Sequence, residues 1–352
     1  MKHGNIALFV PHNGCPHCCS FCSQRSITGV QAQPCAQDVH EAVKKALASG
    51  GEYDYEIAFF GGSFTAIDRD YMVSLLEAAS VYVKNGSVRG IRLSTRPDAA
   101  EDEVLSLLEK YGVTSVELGA QSLCGEVLKA NLRGHTAQDV AAASERIKAH
   151  GFSLGLQMMT GLYGSTPERD IYTAEKIIEL HPDTVRIYPT VTMRGTLLGE
   201  LFMSGEYKPM ELSESVELCA SLLEMFSRNN IEVIRLGLHY SDALVRDMLF
   251  DNYHPAFREL CESRLMLRRF LAQREKMQPF ERCTVYVHPS CVSKFIGQRR
   301  SNVNELSRSC AVFVKTAPDE SVAPLDVRIE PEYSPENTQK VRKKRKNAAE
   351  IT

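Results

Sequence analysis

Short apolar runs rich in β-branched and aromatic residues alternate with helical patterns along the first 240 residues, with a period of roughly 30 residues. The apolar runs predict seven strands, at residues 5–10, 55–60, 90–94, 114–119, 153–159, 184–189 and 231–238. The patterns between them predict helices around residues 36–49, 69–84, 99–111, 136–150, 167–180 and 211–229. Strands that alternate with helices pair in parallel through right-handed crossovers. Seven such units predict an α/β fold, a partial TIM-like β/α barrel. An open doubly wound sheet fits less well, because no glycine-rich dinucleotide fingerprint follows the first strand.

The alternation of strands and helices ends at about residue 250, where one long amphipathic helical pattern is followed by short strand-like runs. This pattern predicts a small α+β module after the barrel. We expect three segments: a barrel at 1–240, a C-terminal module at 253–335 and a basic tail at 336–352. The tail is expected to be disordered and solvated, although its run of lysines and arginines is also suited to holding phosphates by counterion release.

Composition narrows the class of protein. Hydrophobic residues make up 43% of the 352 residues, which is ample for a large core. No apolar run reaches the about 18 residues that a membrane span needs, so we expect a cytoplasmic protein with no membrane partner. The formal net charge of −3 does not by itself indicate a nucleic-acid partner. The chain has 11 cysteines, and in a reducing cytoplasm a cluster of thiols indicates a metal site rather than disulfides.

Four of these cysteines follow the first predicted strand, within the stretch PHNGCPHCCSFCSQ at residues 11–24. As two abutting C-x2-C pairs they would form a zinc site, but structural zinc sites usually separate their pairs by about a dozen residues or more. The alternative takes Cys15, Cys19 and Cys22, spaced C-x3-C-x2-C, as ligands of three irons of a [4Fe–4S] cluster. The fourth iron is then open to a ligand, and Cys18 is left over. The position after strand one of a β/α pattern favours the iron–sulfur interpretation.

The segment CPHCCSFC, in which Phe21 precedes the last cysteine, and the segment GGSFT after the second strand resemble the radical S-adenosylmethionine (SAM) superfamily. The resemblance implies that the open iron binds the amino and carboxylate groups of SAM. One electron then cleaves SAM to a 5′-deoxyadenosyl radical, which abstracts a hydrogen atom from the substrate. It also implies an electron donor such as ferredoxin or flavodoxin.

Further segments resemble the subgroup related to the catalytic subunit of Elongator, which modifies the wobble uridine of tRNA. They are LSTRPD, VELGAQS, RGHT, MMTGLYG, RIYPTVTMRGT and RLGLHYSD. The resemblance implies tRNA as the substrate. The Elongator subunit spaces its first two cluster cysteines farther apart and carries an acetyltransferase domain, for which this chain leaves no room. We therefore expect a shorter bacterial paralogue, and whether it uses acetyl-coenzyme A stays open.

Residues at the strand ends are candidate SAM contacts, because the active sites of β/α barrels lie at the C-terminal ends of the strands. They are Phe21, Gly61, Gly62, Ser63, Ser94, Arg96, Glu117, Gln121, Gln157 and Arg186. Most of them also have a structural interpretation: a strand-to-helix turn at Gly61–Ser63, a structural turn at Ser94–Arg96, a hydrogen-bonded barrel residue or a salt bridge with Arg186 at Glu117, and a cap of a strand edge at Gln157. No catalytic residue can be assigned from the pattern. By physics alone, Arg133 and its neighbours form a turn between two helices.

Two other functions stay open from sequence alone. The same radical chemistry could act on a small molecule such as a porphyrinogen. A non-enzymatic iron–sulfur carrier or zinc protein is the third hypothesis, against which a seven-unit barrel argues because a carrier needs no such cavity. If tRNA is the substrate, we expect the tail and the basic Arg299 and Arg300 to contact its phosphates.

Overall fold

The structure is a computed structural model that describes residues 2–10, 19–22, 32–50 and 53–333. Two predictions therefore fall outside the described residues: the position of Cys15, and the state of the tail at 336–352. The described residues divide into two compact units. The first runs up to Ser215 and resumes at Met225–Pro255; the second combines Val216–Glu224 with the residues from Ala256 onward. No pattern in the sequence indicated that part of a helix would group with the second unit, and the predicted domains at 1–240 and 253–335 stay a prediction.

The first unit contains a seven-stranded parallel sheet in which every strand pairs with its neighbour in the chain. The strands are β1 (Lys2–Val10), β2 (Tyr53–Gly61), β3 (Gly90–Thr95), β4 (Val113–Gln121), β5 (Ser153–Thr160), β6 (Thr184–Pro189) and β7 (Glu232–Leu236). All seven predicted strands are present, and the order β1 to β7 confirms the partial β/α barrel. The sheet forms a half-barrel.

Helices connect the strands. They are α1 (Ala36–Ala48), α2 (Arg69–Lys84), α3 (Asp102–Lys110), α4 (Gly125–Ala130), α5 (Ala137–Ala149), α6 (Pro167–Glu179), α7 (Leu197–Met203), α8 (Leu212–Arg228) and α9 (Asp242–Asp247). The helix predicted at 99–111 begins only at Asp102, because Pro97 opens a short 3-10 turn before it. The short helices α4, α7 and α9 were not predicted, since one or two turns carry too few residues to show a period. No described helix is long and apolar enough to cross a membrane.

The two faces of the sheet differ in polarity, and this difference positions the site. One face carries fully buried apolar side chains such as Phe59, Leu93, Leu118 and Leu156. Because right-handed crossovers place all the connecting helices on one side of such a sheet, this is the face that they cover. The alternate positions carry polar and charged residues, which form the inner face of the half-barrel. A parallel strand buried on both sides is normally apolar throughout, so a charged inner face indicates a functional surface.

The second unit contains a three-stranded sheet in the order β10-β8-β9. Its strands are β8 (Arg282–Val287), β9 (Phe313–Pro318) and β10 (Arg328–Glu332), and its helices are α10 (Phe257–Glu275), α11 (Val292–Ile296) and α12 (Ser301–Cys310). The sheet and α10 share one apolar core, in which Phe270, Val285 and Phe295 are completely buried. This confirms the small α+β module predicted after the barrel.

Candidate active site

The strand register brings four of the predicted site residues onto the inner face. Ser94 on β3 pairs with Glu117 on β4. Gln157 on β5 pairs with Gly119 on β4 and with Arg186 on β6. Because side chains of one parity share a face, Ser94, Glu117, Gln157 and Arg186 all project to the same side of the sheet.

Glu117 lies at the centre of this face and is fully buried. Its Oε1 accepts hydrogen bonds from Arg186 Nη2 at 2.8 Å and from Arg92 Nη1 at 3.1 Å. Its Oε2 accepts from Arg186 Nε at 2.5 Å and from Gln157 Nε2 at 3.0 Å. Burial alone would raise the pKa of the Glu117 carboxyl, but the charges and hydrogen bonds of Arg186, then Arg92 and Gln157, outweigh it and lower the pKa below its ordinary value.

The charged network continues away from the strand ends to residues that the sequence analysis missed. Arg92 Nε donates to Glu56 Oε2 at 3.0 Å, and Thr114 Oγ1 donates to Glu56 Oε1 at 3.0 Å. Glu56 and Arg92 are 2% and 8% exposed, so both charges depend on these partners. The available signal was a lone charged residue inside each apolar run, YEIAFF and GIRLS. Two carboxylates and two guanidiniums thus alternate across β2, β3, β4 and β6.

Arg186 is held on two sides. Its guanidinium pairs with Glu117, as the structural interpretation from sequence expected, and its Cζ lies 4.8 Å from the ring centroid of Phe60. Such stacking fixes the plane of the guanidinium. The salt bridge and a SAM contact do not exclude each other, because an arginine has five N–H donors and the bidentate pair with Glu117 uses two.

The GGSFT segment approaches the backbone of β1. Gly61 has a φ of +115°, and a Cβ on it would lie 3.0 Å from the carbonyl oxygen of Val10. The N–H of Gly62 donates to that same oxygen at 2.9 Å. Glycine is therefore required here by the path of the chain. A contact of Gly61 and Gly62 with SAM stays a prediction.

Hydroxyl groups join the ends of β2 and β3. Ser63, 1% exposed, shares a hydrogen bond of 2.8 Å between its Oγ and Thr95 Oγ1, and its Oγ also accepts from the backbone N–H of Arg96. The guanidinium of Arg96 binds Asp98, with Nε 2.8 Å from Oδ1, and these bonds lower the pKa of the Asp98 carboxyl. Ser63 and Arg96 thus support the turn, and their contacts with SAM stay predictions.

The described cysteines of the cluster motif, Cys19 and Cys22, lie in a turn in which the N–H of Cys22 donates to the carbonyl of Cys19 at 3.1 Å. Ser20, between them, is fully buried. Its Oγ donates to Asn131 Oδ1 at 2.6 Å, and its N–H donates to the Asn131 carbonyl at 3.2 Å. Its own carbonyl accepts from the N–H of Leu198 at the start of α7. Phe21 is half-buried in the same turn.

Arg133 connects this cysteine turn to the end of β4. Its Nη1 donates to Cys19 Sγ at 3.1 Å and its Nη2 donates to the Gly119 carbonyl at 2.6 Å. The interpretation of this segment as a turn between two helices describes its backbone, since it lies between α4 and α5, but missed the contact with the cysteine. Nearby His135 contacts the Ala120 carbonyl through Nε2 at 3.2 Å. Burial, and then the charge of Arg133, lower the pKa of His135 to about 4.

Two buried polar atoms at this place lack a hydrogen-bond partner among the described residues: Gln121 Oε1 and Arg133 Nε. The backbone of Gln121 is left-handed, with a φ of 63°, and its amide lies over Gly119. Buried polar atoms are normally paired, so each such atom needs an explanation, and a bound group is one. A group that carries anionic sulfur beside Arg133 and a hydrogen-bond donor beside Gln121 fits this set of residues.

Comparison with known proteins gives two matching family models. The Radical SAM superfamily model matches residues 9–177, and the Radical_SAM C-terminal domain model matches residues 182–266. A tRNA uridine(34) acetyltransferase from Methanocaldococcus jannaschii is 33% identical, over 46% of this chain and 34% of that protein. Elongator complex protein 3 from Homo sapiens is 32% identical, over 63% of this chain and 46% of that protein.

A solved structure of Methanocaldococcus infernus Elp3 with an N-terminal deletion matches with a TM-score of 0.54. It is 20% identical, and the match covers 70% of this chain and 61% of that chain, which shows the shared fold. The chain spans less than half the length of the two curated relatives named above. Both family models and the half-barrel agree: the chain is a radical SAM enzyme, a member of the superfamily that uses SAM and a [4Fe–4S] cluster, and within it resembles Elongator protein 3.

Proposed function

We propose that Cys15, Cys19 and Cys22 hold the [4Fe–4S] cluster, and that the enzyme uses SAM to modify tRNA. The observation that carries the first part is the position of Cys19, whose sulfur Arg133 holds beside the carbonyl of Gly119 near the C-terminal end of β4. The inner face of the half-barrel carries its charged residues next to this place. When bound, the cluster and SAM supply a 5′-deoxyadenosyl radical that abstracts a hydrogen atom from the substrate.

Within this proposal, Arg186 and Gln157 bind the cofactor and Glu117 orients them. A carboxylate offers about four lone-pair sites, and four donors already occupy those of Glu117. Glu117 can accept from a ribose hydroxyl only if one donor leaves, and the half-buried Gln157 amide is the donor most free to turn. Gln121 accepts a hydrogen bond through its unpaired Oε1.

The remaining predicted contacts complete the proposed pocket. Phe21 lies in the cysteine turn, Gly61 and Gly62 allow close approach at the end of β2, and Ser94 occupies the inner face beside Glu117. Ser63 and Arg96 stabilise the ends of β2 and β3 through the hydrogen bonds between them. They keep these strand ends in place while the cofactor is bound.

The proposal for tRNA rests on the tRNA uridine(34) acetyltransferase and Elongator complex protein 3 relatives and on one surface of the second unit. Arg299 and Arg300 are consecutive, both exposed, and both left-handed, with φ of 50° and 60°. Neither forms a salt bridge with another described residue. The turn is held by Gly297, where a Cβ would lie 2.3 Å from Ser301 Oγ, and by buried Asn302. A rigid turn that presents two arginines suits a phosphate backbone. We propose that the tail at 336–352 contributes further phosphate contacts in the cytoplasm.

The cluster is tested by anaerobic reconstitution with iron and sulfide. The wild-type protein should turn brown, contain iron and sulfide, and release 5′-deoxyadenosine from SAM when dithionite or a reduced flavodoxin or ferredoxin supplies the electron. Cys19→Ala should lose the cluster, whereas the control Cys35→Ser, at an exposed cysteine at the start of α1, should keep it. A colourless wild-type protein that binds zinc would overturn the assignment.

The tRNA substrate is tested by binding at several salt concentrations. Arg299→Ala combined with Arg300→Ala should weaken tRNA binding and reduce the slope of log K against log salt by about 2, because each lost phosphate contact removes about one counterion. The matched control removes Arg69 and Arg89, exposed arginines of the first unit. Equal tRNA binding by wild type and both variants, with unchanged modified nucleosides in bulk tRNA of cells that lack the gene, would favour a small-molecule substrate instead.

A further inference from the structure

Arg133 is a partly buried cation with an unusual set of partners. Its guanidinium donates to Cys19 Sγ at 3.1 Å and to the neutral carbonyl of Gly119 at 2.6 Å. No salt bridge joins it to a carboxylate among the described residues, and its Nε is buried without a partner there. Other buried guanidiniums on the inner face, Arg92 and Arg186, are paired with carboxylates.

This arrangement calls for an anion at the sulfur. An arginine stays protonated in proteins, and a buried charge is costly unless it is paired. The sulfur of Cys19 is the one contact of Arg133 in the described structure that becomes an anion, when it ligates iron as a thiolate. The bond to Gly119 fixes the plane of the guanidinium, so that Nη1 stays directed at the sulfur.

Backbone and side-chain hydrogen bonds around Asn131 position both Cys19 and Arg133. Asn131, two residues before Arg133, is fully buried and binds both the hydroxyl and the N–H of Ser20, the residue after Cys19. The N–H of Arg133 donates to the carbonyl of Leu128 on α4 at 3.0 Å. One turn therefore fixes the cysteine from two sides, with Asn131 on the backbone and Arg133 on the sulfur.

We propose that Arg133 is a positioning residue that makes the cluster easier to reduce, an inference that rests on the proposed binding of the cluster by Cys19. Reduction takes one electron from a low-potential one-electron donor and adds one negative charge to the cluster and its thiolates. A fixed cation that donates to a ligand sulfur stabilises the reduced form more than the oxidised form, and hydrogen bonds to cluster sulfurs tune the potential in this way. The midpoint potential of the cluster is therefore higher with Arg133 than without it.

The experiment compares reconstituted wild type, Arg133→Gln, Arg133→Lys and the control Arg69→Gln in the full chain, with no SAM and no substrate. The amide of Arg133→Gln keeps a donor but no charge, whereas Arg133→Lys keeps the charge but lacks the planar guanidinium whose two nitrogens bind Cys19 and Gly119 separately. Iron and sulfide content are measured first, and the midpoint potential is then measured by a dithionite titration followed by absorbance and electron paramagnetic resonance.

We expect Arg133→Gln to shift the midpoint to a more negative value, on the order of tenfold in the ratio of reduced to oxidised cluster, which is about 59 mV for a one-electron couple. Arg133→Lys should lie between this value and wild type, and Arg69→Gln should equal wild type. Equal midpoint potentials in all four proteins would overturn the inference. Loss of the cluster from both Arg133 variants at an unchanged melting temperature would also overturn it, because Arg133 would then only hold Cys19 in place for cluster binding. A wild-type protein that takes up no cluster would instead refute the proposed function.

Discussion

The buried carboxylate of Glu117 offers the sharpest test of the site as a folded structure. Glu117→Gln keeps the size of the side chain and removes the charge that Arg92 and Arg186 share. Arg92 retains Glu56, but Arg186 loses its carboxylate partner while it stays 8% exposed. Removal of one partner of a buried ion pair costs about 3–5 kcal/mol, because the remaining charge stays buried without compensation.

The expected change can be read in urea. For a unit of this size a slope of about 3 kcal/mol per molar urea converts that cost into a midpoint lower by on the order of 1 M. The measurement uses far-ultraviolet circular dichroism of the cluster-free chain at pH 7. Glu103→Gln is the control, since Glu103 pairs with Arg69 at 2.6 Å but both side chains are more than 60% exposed. An exposed pair of this kind contributes about 0–1 kcal/mol.

The pH dependence adds an independent check. The pKa of Glu117 is lowered in the folded state from its ordinary value of 4.5, so its ionised form stabilises the fold above that pH. The contribution declines as the pH falls below 4.5 and through the folded pKa. The difference in urea midpoint between wild type and Glu117→Gln should therefore be constant from pH 7 to 5 and shrink below pH 4.5. An equal midpoint for the two proteins at pH 7, or a difference that grows in acid, would refute the account of Glu117 as a charge held by two arginines.

Two further predictions concern the loops beside the site. Gly61→Ala should lower the free energy of unfolding by about 1–3 kcal/mol, because alanine is strained at a φ of +115° and its Cβ would contact the backbone of Val10. The control Gly125→Ala adds a Cβ in open space on α4 and should not lower it. The urea midpoints of the two variants decide this. Buried Asp170 accepts a hydrogen bond from the N–H of Gly161 at 2.8 Å, and burial raises the pKa of its carboxyl from 3.8 to about 6. The folded state therefore favours the protonated carboxyl, and the free energy of unfolding of the wild type should fall by up to about 3 kcal/mol as the pH rises from 4 to 6. Asp170→Asn should abolish that decline in a pH series of urea midpoints; a decline of the same size in the variant would show that another group causes it.

The sequence predicted those features that depend on local periodicity. All seven strands of the half-barrel were found because each is a short apolar run, as in YEIAFF, where Ile57, Ala58 and Phe59 are all fully buried. The inner-face residues Glu117 and Arg186 were found because they are charged residues within the predicted strands at 114–119 and 184–189, and their salt bridge was one of the alternatives considered. Short helices such as α4 escaped because they have too few residues to show a period.

Contacts between segments that are distant in the sequence could not be predicted. Arg133 was interpreted as part of a turn because its local sequence says nothing about Cys19, which lies 114 residues earlier. Glu56 and Arg92 were missed for a related reason: each is a single charged residue in an apolar run, and only the strand register shows that the two lie on the same face of the sheet as diagonal neighbours. Pairing of this kind depends on the register of parallel strands, which no short segment determines.

The charged residues on the inner face of the half-barrel are best explained by a need to orient side chains and not by a contribution to stability. Buried ion pairs are weak evidence for stability, since apolar residues of similar volume often replace them at no cost. The opposite face of the same strands shows what an apolar alternative looks like, with Phe59, Leu93 and Leu118 fully buried. A chain that can fill one face in this way has retained Glu117 and Arg186 on the other, where a violation of the local rule indicates a functional requirement. Glu117 and Phe60 hold the guanidinium of Arg186 in a fixed plane. We propose that this orientation serves the predicted contact with a cofactor carboxylate, which an already oriented guanidinium would make without reorganising.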